Sequence, residues 1–497
     1  MPGLIEAPAE DVLITGLSAD SRAIEPGHLF VAWTGHTADG HAFIPEAIER
    51  GASTILLERP PAQPLSVPII RVTNARLAYS HLCSAWFDHP ASRLTIVGIT
   101  GTNGKSSSAY FLYQLWQALG YKTGLIGTVF CKADTATLPA TLTTPDSYKL
   151  HELLAHFLER KISHVVMEVS SIALDQYRTD AIPFRGAVFT NLSHDHLDYH
   201  KTFTAYRDAK KRLFDGLDSG AFSLTNIDDR NGLFMLQNTP SQRYSYSLRQ
   251  PADFQGTLVE AGMWGLSFRL RLGPLPGPTG LSPLAEALPV IHSPLIGHFQ
   301  VENLLAAWGA ALLVERPAYE PKAWGELAHL LAQKLSQVQG LPGRMEPIAL
   351  SQHRLGIVDY AHTPDAVEKS LRVLRSLLPP GGQLIAVLGA GGNRDRSKRP
   401  AMSQAAACQA DIIWLTSDNP RYESPEAILE DLYRPLPPHL RQKVFKEPDR
   451  REAIHKAIAM APPHSIIAVL GKGHETYQEI QGFRHPFSDQ AVLLEMS

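Results

Sequence analysis

The spacing of apolar and polar positions divides the chain into three stretches of different rhythm. Over residues 1–92, short apolar segments (DVLITGLSADSR, GHLFVAWTG, STILLE and VPIIRV) accompany one helical stretch, FIPEAIERG, and the pattern ends at HPASRL. This predicts a small α/β domain. From LTIVGIT the rhythm becomes strand, glycine loop and helix (SSAYFLYQLWQALG), followed by strands of the fully buried kind at HVVMEVSS and AVFTNLS. Such alternation predicts a mostly parallel sheet flanked by helices, in a central domain over residues 93–340. Between Gln250 and Pro294 the rhythm breaks into β-rich segments such as GLSFRLRLG and the Pro/Gly-rich GPLPGPTGLSP, which read as an antiparallel appendage or a loop, without chemistry. Two helical segments, VENLLAAWGAALLVE and KAWGELAHLLAQKL, then lead through QVQGLPGRMEP to a boundary near Gly340. Beyond it LGIVDYA, QLIAVLGAGG, DIIWLTSD and SIIAVLGKG alternate with helices, which predicts a third, Rossmann-like domain over residues 341–497. The expected fold class is α/β in three domains.

Composition sharpens this picture. With 497 residues, 44% hydrophobic and 19% charged, the chain can bury several cores. A formal net charge of -3, with no Lys/Arg block, speaks against nucleic acid or anionic lipid as a partner. The N-terminus is acidic without a basic flank, and the longest apolar runs, such as IIAVL, are strand-sized, so neither a signal peptide nor a membrane-spanning helix is expected. Cys83, Cys131 and Cys408 are an odd, widely spaced set that forms neither a disulfide framework nor a zinc knuckle, which fits a reducing cytoplasm.

The strongest chemical signal is Gly98-Ile-Thr-Gly101-Thr102-Asn103-Gly104-Lys105-Ser106, between an apolar strand and an amphipathic helix that continues with Ser107. Its glycines let backbone N–H groups face phosphates, Lys105 can neutralise the terminal phosphate of ATP, and the Ser106 hydroxyl can reach Mg²⁺. This is the mark of a central phosphate-loop ATPase domain. Gly98 and Gly104 enclose five residues where a strict Walker A has four, so the form TGTNGKS is more specific than the general loop.

A second constellation, Glu168-Val-Ser170-Ser171 and NLSHDHLDYH with His196, falls at the C-terminal ends of two further strands, where open α/β sheets bind ligands. Glu168 offers a hard oxygen to Mg²⁺, and His196 can complete a second metal's shell or orient its water. The density of His and Asp also permits zinc, and solvated surface histidines are the plain alternative. In FTAYRDAKKRLF, Phe203, Tyr206, Lys210 and Phe214 lie near one helical face, so Lys210 points inward while Lys211 is expected to rotate away. A buried ammonium is costly unless paired, neutral or modified; a lysine snorkelling from the helix edge is the plain reading.

Together these segments resemble the Mur ligases along the whole chain. The resemblance implies an ATP and two-magnesium site built from Lys105, Ser106, Glu168, His196 and Lys210, with Lys210 carbamylated by CO₂. It also implies a uridine-diphosphate pocket in the N-terminal domain at Asp20-Ser21-Arg22 and Gly35-His36-Thr37-Ala38-Asp39-Gly40, and a muramoyl-dipeptide site at Thr143, Thr144, Ser170, Ser171, Gln176 and Arg178. Arg178 is the clearest anion clamp among these residues. For ATP it adds Asn303 near adenine, Arg344 at the domain junction, and Asp359 and His362 near ribose or phosphates.

In the third domain Gly391-Gly392-Asn393-Arg394-Asp395, Asp418-Asn419-Pro420-Arg421 and Gly471-Lys472-Gly473-His474-Glu475 all follow predicted strands and should converge at one sheet edge. The DNPR segment resembles that of family members that add meso-diaminopimelate: two arginines can clamp a distal carboxylate, which lysine lacks, while Glu475 pairs with the neighbouring ammonium. The chain departs from the family pattern at Thr37, Ile172, His194, His298, Gln300 and Asn393. The activity implied is ATP-dependent ligation of meso-diaminopimelate to UDP-MurNAc-L-Ala-D-Glu through an acyl phosphate, by a monomer, with L-lysine addition, another amide ligase of Mur or folylpolyglutamate type, a kinase or nucleotide switch, and a silent precursor-binding protein as rivals. Arg344 and the GLPGR segment are the expected hinge for closure of the third domain on the second.

Overall fold

The computed structural model describes the chain except residues 36–37, 62, 139–141, 194, 274–275, 278–279, 282–287, 317–322 and 497. It forms two compact units, one of Met1–Asp253 with Gly309–Glu320, the other of Phe254–Trp308 with Pro321–Ser497. Among the described residues no helix is long and apolar enough to cross a membrane.

The first unit opens with a five-stranded sheet of β1 (Leu4–Glu6), β2 (Gly16–Ser18), β3 (His28–Val31), β4 (Thr54–Leu57) and β5 (Ile69–Val72), in the order β1-β5-β4-β3-β2. All neighbours are parallel except the edge strand β1. Ala75–Trp86 is a helix that the apolar spacing did not reveal; Asn74 caps it by accepting from the Leu77 N–H (2.9 Å), and Ala75, Ala78, Tyr79 and Cys83 face the core.

A larger sheet follows, built from β6 (Thr95–Thr100), β7 (Thr123–Ile126), β8 (Cys131–Ala133), β9 (Ala136–Leu138), β10 (His164–Glu168), β11 (Gly186–Phe189), β12 (Phe222–Asn226) and β13 (Gln242–Ser247). Within this unit the order is β13-β12-β11-β6-β10-β7-β8-β9, and the six from β13 to β7 are parallel. Every residue of β10 and β11 is buried, as the apolar centres VVM and AVF require of strands covered on both faces. The first strand, β6, therefore lies between β10 and β11, and the three loops leaving their C-terminal ends are neighbours. At the opposite edge, Tyr121 OH donates to Glu315 Oε2 (2.6 Å), and Glu315 Oε1 lies 3.5 Å from His164 Nε2.

In the second unit β14 (Phe254–Gly262), β15 (Gly265–Leu272) and β18 (Ile291–Ser293) are antiparallel, as the sequence suggested, with a two-residue ladder of β16 (Pro276–Gly277) and β17 (Gly280–Leu281). The main sheet comprises β19 (Glu346–Leu350), β20 (Arg354–Asp359), β21 (Leu384–Leu388), β22 (Ile412–Leu415), β23 (Val444–Lys446) and β24 (Ile466–Leu470), ordered β19-β20-β24-β21-β22-β23 and parallel from β20 to β23. A hairpin, β25 (Tyr477–Ile480) with β26 (Phe483–Pro486), follows β24.

Candidate functional site

Beyond β6 the chain turns through Gly101–Gly104 into the helix Lys105–Ala118. Gly104 sits at φ 82°, a left-handed conformation that costs other residues a steric penalty. At Gly101 a Cβ would lie 1.9 Å from Thr190 Oγ1, so the loop can lie against β11 only with glycine here. That contact is stitched further: the Thr102 N–H donates to Asn191 O (2.8 Å), the Asn103 N–H to Asn191 Oδ1 (3.0 Å), and Thr190 Oγ1 to Asn103 O (2.6 Å). Lys105 Nζ folds over the loop, donating to Gly101 O (3.1 Å) and Thr102 O (2.8 Å).

Ser106 Oγ donates to Glu168 Oε2 at 2.8 Å, which joins the two expected oxygen ligands directly. Glu168, buried at the end of β10, also accepts from the Thr128 N–H (2.7 Å) and Thr128 Oγ1 (3.2 Å). Thr128 escaped the sequence reading. Its one signal was position, following Gly127 at the end of β7, the next strand along the same edge.

Lys210, on the helix Phe203–Asp215, is buried as expected. Its Nζ donates to Gly101 O (2.8 Å), the carbonyl that Lys105 also uses, and lies 4.7 Å from the Tyr206 ring centre. Burial, with repulsion from Lys105, holds its pKa well below the lysine range, against a smaller opposing pull from Asp195. Lys211 does not rotate into solvent: it too is buried, donating to Gln237 O (2.6 Å) and pairing with Asp215. The helix is packed on a wider arc than one stripe because the segment carrying Phe234 and Gln237 covers its flank.

His196 stands at φ 51° with its ring half exposed, 3.6 Å from Asp195. Partial burial lowers its pKa; Asp195 opposes this, while Lys105 and Lys210 add to it. His200 turns elsewhere, its Nε2 lying 2.9 Å from Ser171 Oγ. His194, one of the departures from the family pattern, lies outside the described residues.

The residues expected to hold a muramoyl-dipeptide form one network apart from Ser171, which meets His200. Thr144 Oγ1 donates to Glu168 O (2.8 Å) and accepts from the Ser170 N–H (3.0 Å), and Thr143 Oγ1 lies 3.0 Å from Thr128 Oγ1. Arg178 donates through NH1 to Thr144 O (2.9 Å) and through NH2 to Gln176 Oε1 (2.7 Å). Of the N-terminal residues, Ser21 is buried and donates to Glu46 Oε2 (2.8 Å), while Ala38 closes a turn by accepting from the Gly35 N–H (2.9 Å). His36 and Thr37 lie outside the described residues.

In the second unit Asn303 is buried, and its Nδ2 donates to Oε1 of Gln300, itself a departure from the family pattern (3.0 Å). Arg344 lies over the Tyr360 ring (4.9 Å). Asp359 is committed to its own fold, accepting from the Met345 and Ala361 N–H groups (2.8 and 3.0 Å) and from Ser370 Oγ (3.0 Å), whereas His362 is exposed. The loops after β21, β22 and β24 do converge. Asn419 Nδ2 donates to Glu475 Oε2 (2.8 Å), Lys472 Nζ donates to Asn419 Oδ1 (3.0 Å) and Glu475 Oε2 (2.9 Å), and Arg421 NH1 donates to Gly392 O (2.8 Å). Asp418 packs so tightly that a Cβ on Gly471 would meet its Oδ2 at 2.5 Å, and Pro420 is buried beside it. Arg394 is exposed.

Among the described residues no three His, Cys, Asp or Glu side chains gather as a ready metal cluster. The pair that does meet, the Ser106 hydroxyl and the Glu168 carboxylate, suits Mg²⁺, which takes one or two protein oxygens and completes its shell with phosphate oxygens and water.

Three family models match the chain: Mur ligase family, catalytic domain, over residues 13–87; Mur ligase middle domain over 99–311; and Mur ligase, glutamate ligase domain, over 343–473. The UDP-N-acetylmuramoyl-L-alanyl-D-glutamate--2,6-diaminopimelate ligase of Phocaeicola vulgatus is 42% identical over 484 residues, 97% of this chain and 95% of that one. The ligase of the same name from Bacteroides fragilis is 41% identical over 488 residues, 98% and 95% of the two chains. A solved structure, again of a UDP-N-acetylmuramoyl-L-alanyl-D-glutamate--2,6-diaminopimelate ligase, superposes with a TM-score of 0.67 at 32% identity, covering 97% of this chain and 94% of that one.

Proposed function

The chain belongs to the Mur ligase family, and on that premise we propose that it is an ATP-dependent ligase adding meso-diaminopimelate to UDP-MurNAc-L-Ala-D-Glu. The observation that carries this reading is the Ser106–Glu168 contact at the mouth of the phosphate loop, with Lys105 on the same loop. We assign residues 1–92 to the uridine-diphosphate end of the precursor, 93–340 to ATP and the dipeptide, and 341–497 to the incoming diamino acid. A cytoplasmic monomer fits this role.

The γ-carboxylate oxygen of D-glutamate attacks the γ-phosphorus of ATP, the bond to the β–γ bridging oxygen breaks, and an acyl phosphate and ADP result. Lys105 offsets the charge on the transferring group, and the backbone N–H groups of Gly104, Lys105 and Ser106, at the start of the helix, orient the phosphates. Ser106, Glu168 and His196 would hold magnesium, which when bound supplies further neutralisation of phosphate charge. The amine of the diamino acid then attacks the acyl carbon and gives up a proton to water, and the tetrahedral intermediate expels phosphate to leave the amide. The Thr144, Gln176 and Arg178 network holds the dipeptide carboxylates in place, which makes the encounter of the reacting groups effectively unimolecular.

Lys210 fits the carbamate of the family. Burial and Lys105 shift its amine toward the neutral form, which is the form that adds to CO₂, and the neighbouring cation would welcome the anion produced. For the amino acid, support comes from Arg421 and Glu475 at one sheet edge, a cation and an anion for the two charges of a zwitterionic end.

The test is phosphate release by the purified chain with UDP-MurNAc-L-Ala-D-Glu, ATP and Mg²⁺, comparing meso-diaminopimelate, L-lysine and no amino acid. Release with meso-diaminopimelate alone is expected. Release only with lysine would retain the ligase and overturn its assigned amino acid, and release with neither would overturn the ligase.

A further inference from the structure

The hairpin β25–β26 plays no part in the mechanism above, yet it is sewn to the DNPR loop by four hydrogen bonds. The Arg421 N–H donates to Glu479 O (3.0 Å), the Gln481 N–H to Arg421 O (2.8 Å), the Glu479 N–H to Asn419 Oδ1 (2.9 Å), and Gln478 Nε2 to Asp418 O (2.8 Å). These bonds hold Arg421 at φ 51°, a conformation that a side chain of its size rarely adopts unassisted. On the side chain, the Arg421 Nε–H donates to Glu479 Oε2 (3.1 Å) and NH1 to Gly392 O (2.8 Å). Among the described residues the NH2 nitrogen makes no hydrogen bond, and the guanidinium is partly exposed. A planar fork fixed along one edge presents its remaining end in a single direction, which is how an arginine distinguishes a carboxylate from other groups.

Resting on the reading that this edge receives the distal end of a diamino acid, we propose that Glu479 is a specificity-determining positioning residue: by engaging the Nε edge of Arg421 it aims the free end of the guanidinium at the distal carboxylate. A carboxylate so placed also occupies the Nε edge, so the arginine has no need to fold back on another anion before substrate arrives. An amino acid without a distal carboxylate gains nothing from this arrangement, and the preference over L-lysine follows from it.

The experiment measures steady-state kinetics of the full chain for the wild type, Glu479→Ala and Glu479→Gln, varying each substrate in turn. The alanine variant should raise KM for meso-diaminopimelate about tenfold with kcat within about twofold, leave KM for ATP and the UDP-precursor in place, and narrow the preference over L-lysine. Glutamine keeps an oxygen acceptor for the Nε–H and should bring KM back to within about threefold of wild type. An unchanged KM for meso-diaminopimelate, a parallel rise in all three KM values, or a glutamine variant as impaired as alanine would overturn the proposal. A wild type that releases no phosphate with meso-diaminopimelate would instead remove the underlying assignment of substrate.

Discussion

Replacing Asp489 by alanine should be among the most damaging single changes in the second unit, because it strands a charge. Arg450 and Asp489 are both fully buried and paired through two hydrogen bonds of 2.7 Å, Nε to Oδ1 and NH2 to Oδ2. The same guanidinium donates to Leu470 O (3.0 Å) and Ser417 O (3.3 Å), the last carbonyls before the GKGHE and DNPR loops. Burial by itself favours the neutral guanidine, but Asp489 outweighs it, with smaller help from Asp418 and Glu475, and the pKa is raised. Arginine does not shed its proton, so the variant must bury an unpaired cation. Breaking a buried pair from one side costs about 3–5 kcal/mol. At roughly 2–4 °C per kcal/mol for a folding unit of this size, the transition should fall by about 6–20 °C. Scanning calorimetry of the whole chain is the assay, since two units need not melt in one step. The double variant Arg450→Met with Asp489→Leu removes both charges and should recover most of the loss. A shift below about 2 °C for Asp489→Ala, or a double variant no better than the single, would refute the reasoning.

Three further outcomes are expected. Lys105→Ala should lower kcat about a hundred- to a thousandfold with circular dichroism unchanged, and a loss under about tenfold in phosphate release would count against its assigned role. Gly101→Ala forces a Cβ to 1.9 Å from Thr190 Oγ1, so about 1–3 kcal/mol of strain should appear as weakened ATP binding in titration calorimetry, and wild-type affinity would show that the loop does not need that close approach. Glu423, held by Arg399, with burial opposing and the Asn393 N–H assisting, has its pKa lowered to about 2. Its folded-state pKa lies below the unfolded value of about 4.3, so its contribution is complete above that pH and is lost as the pH falls toward about 2. Glu423→Gln should therefore be less stable at neutral pH and show a flatter melting-temperature profile between about pH 5 and 2, and parallel profiles would argue that the contact carries no linkage.

Much of this was legible because the physics is local. LIAVL and IIAVL are unbroken apolar runs and HVVME has an apolar centre, and each is a buried parallel strand. TGTNGKS announced its turn through its glycines, and Lys210 was placed inward by a spacing of four. What escaped depended on neighbours distant in sequence. The helix Ala75–Trp86 carries Arg76, Ser80, His81 and Ser84 among its apolar positions, and its clearest signal was the Asn74 cap. Thr128 meets Glu168 only because β7 and β10 are adjacent, and Lys211 is buried only because a segment more than twenty residues later lies across it. Glu479 carried no signal in the sequence, because its contact with Arg421 exists only where the β25–β26 hairpin runs beside the loop after β22.

The larger sheet of the first unit keeps its phosphate-handling loops on the ends of β10, β6 and β11, while Tyr121, His164 and Glu315 meet at the other end of the strands. A change at the loop edge bears on catalysis, whereas a change in the Tyr121–His164–Glu315 trio bears on folding, and replacing one member alone leaves its buried polar partners without a contact. That makes the trio a natural position for a spectroscopic label that reports on unfolding while leaving turnover as it is.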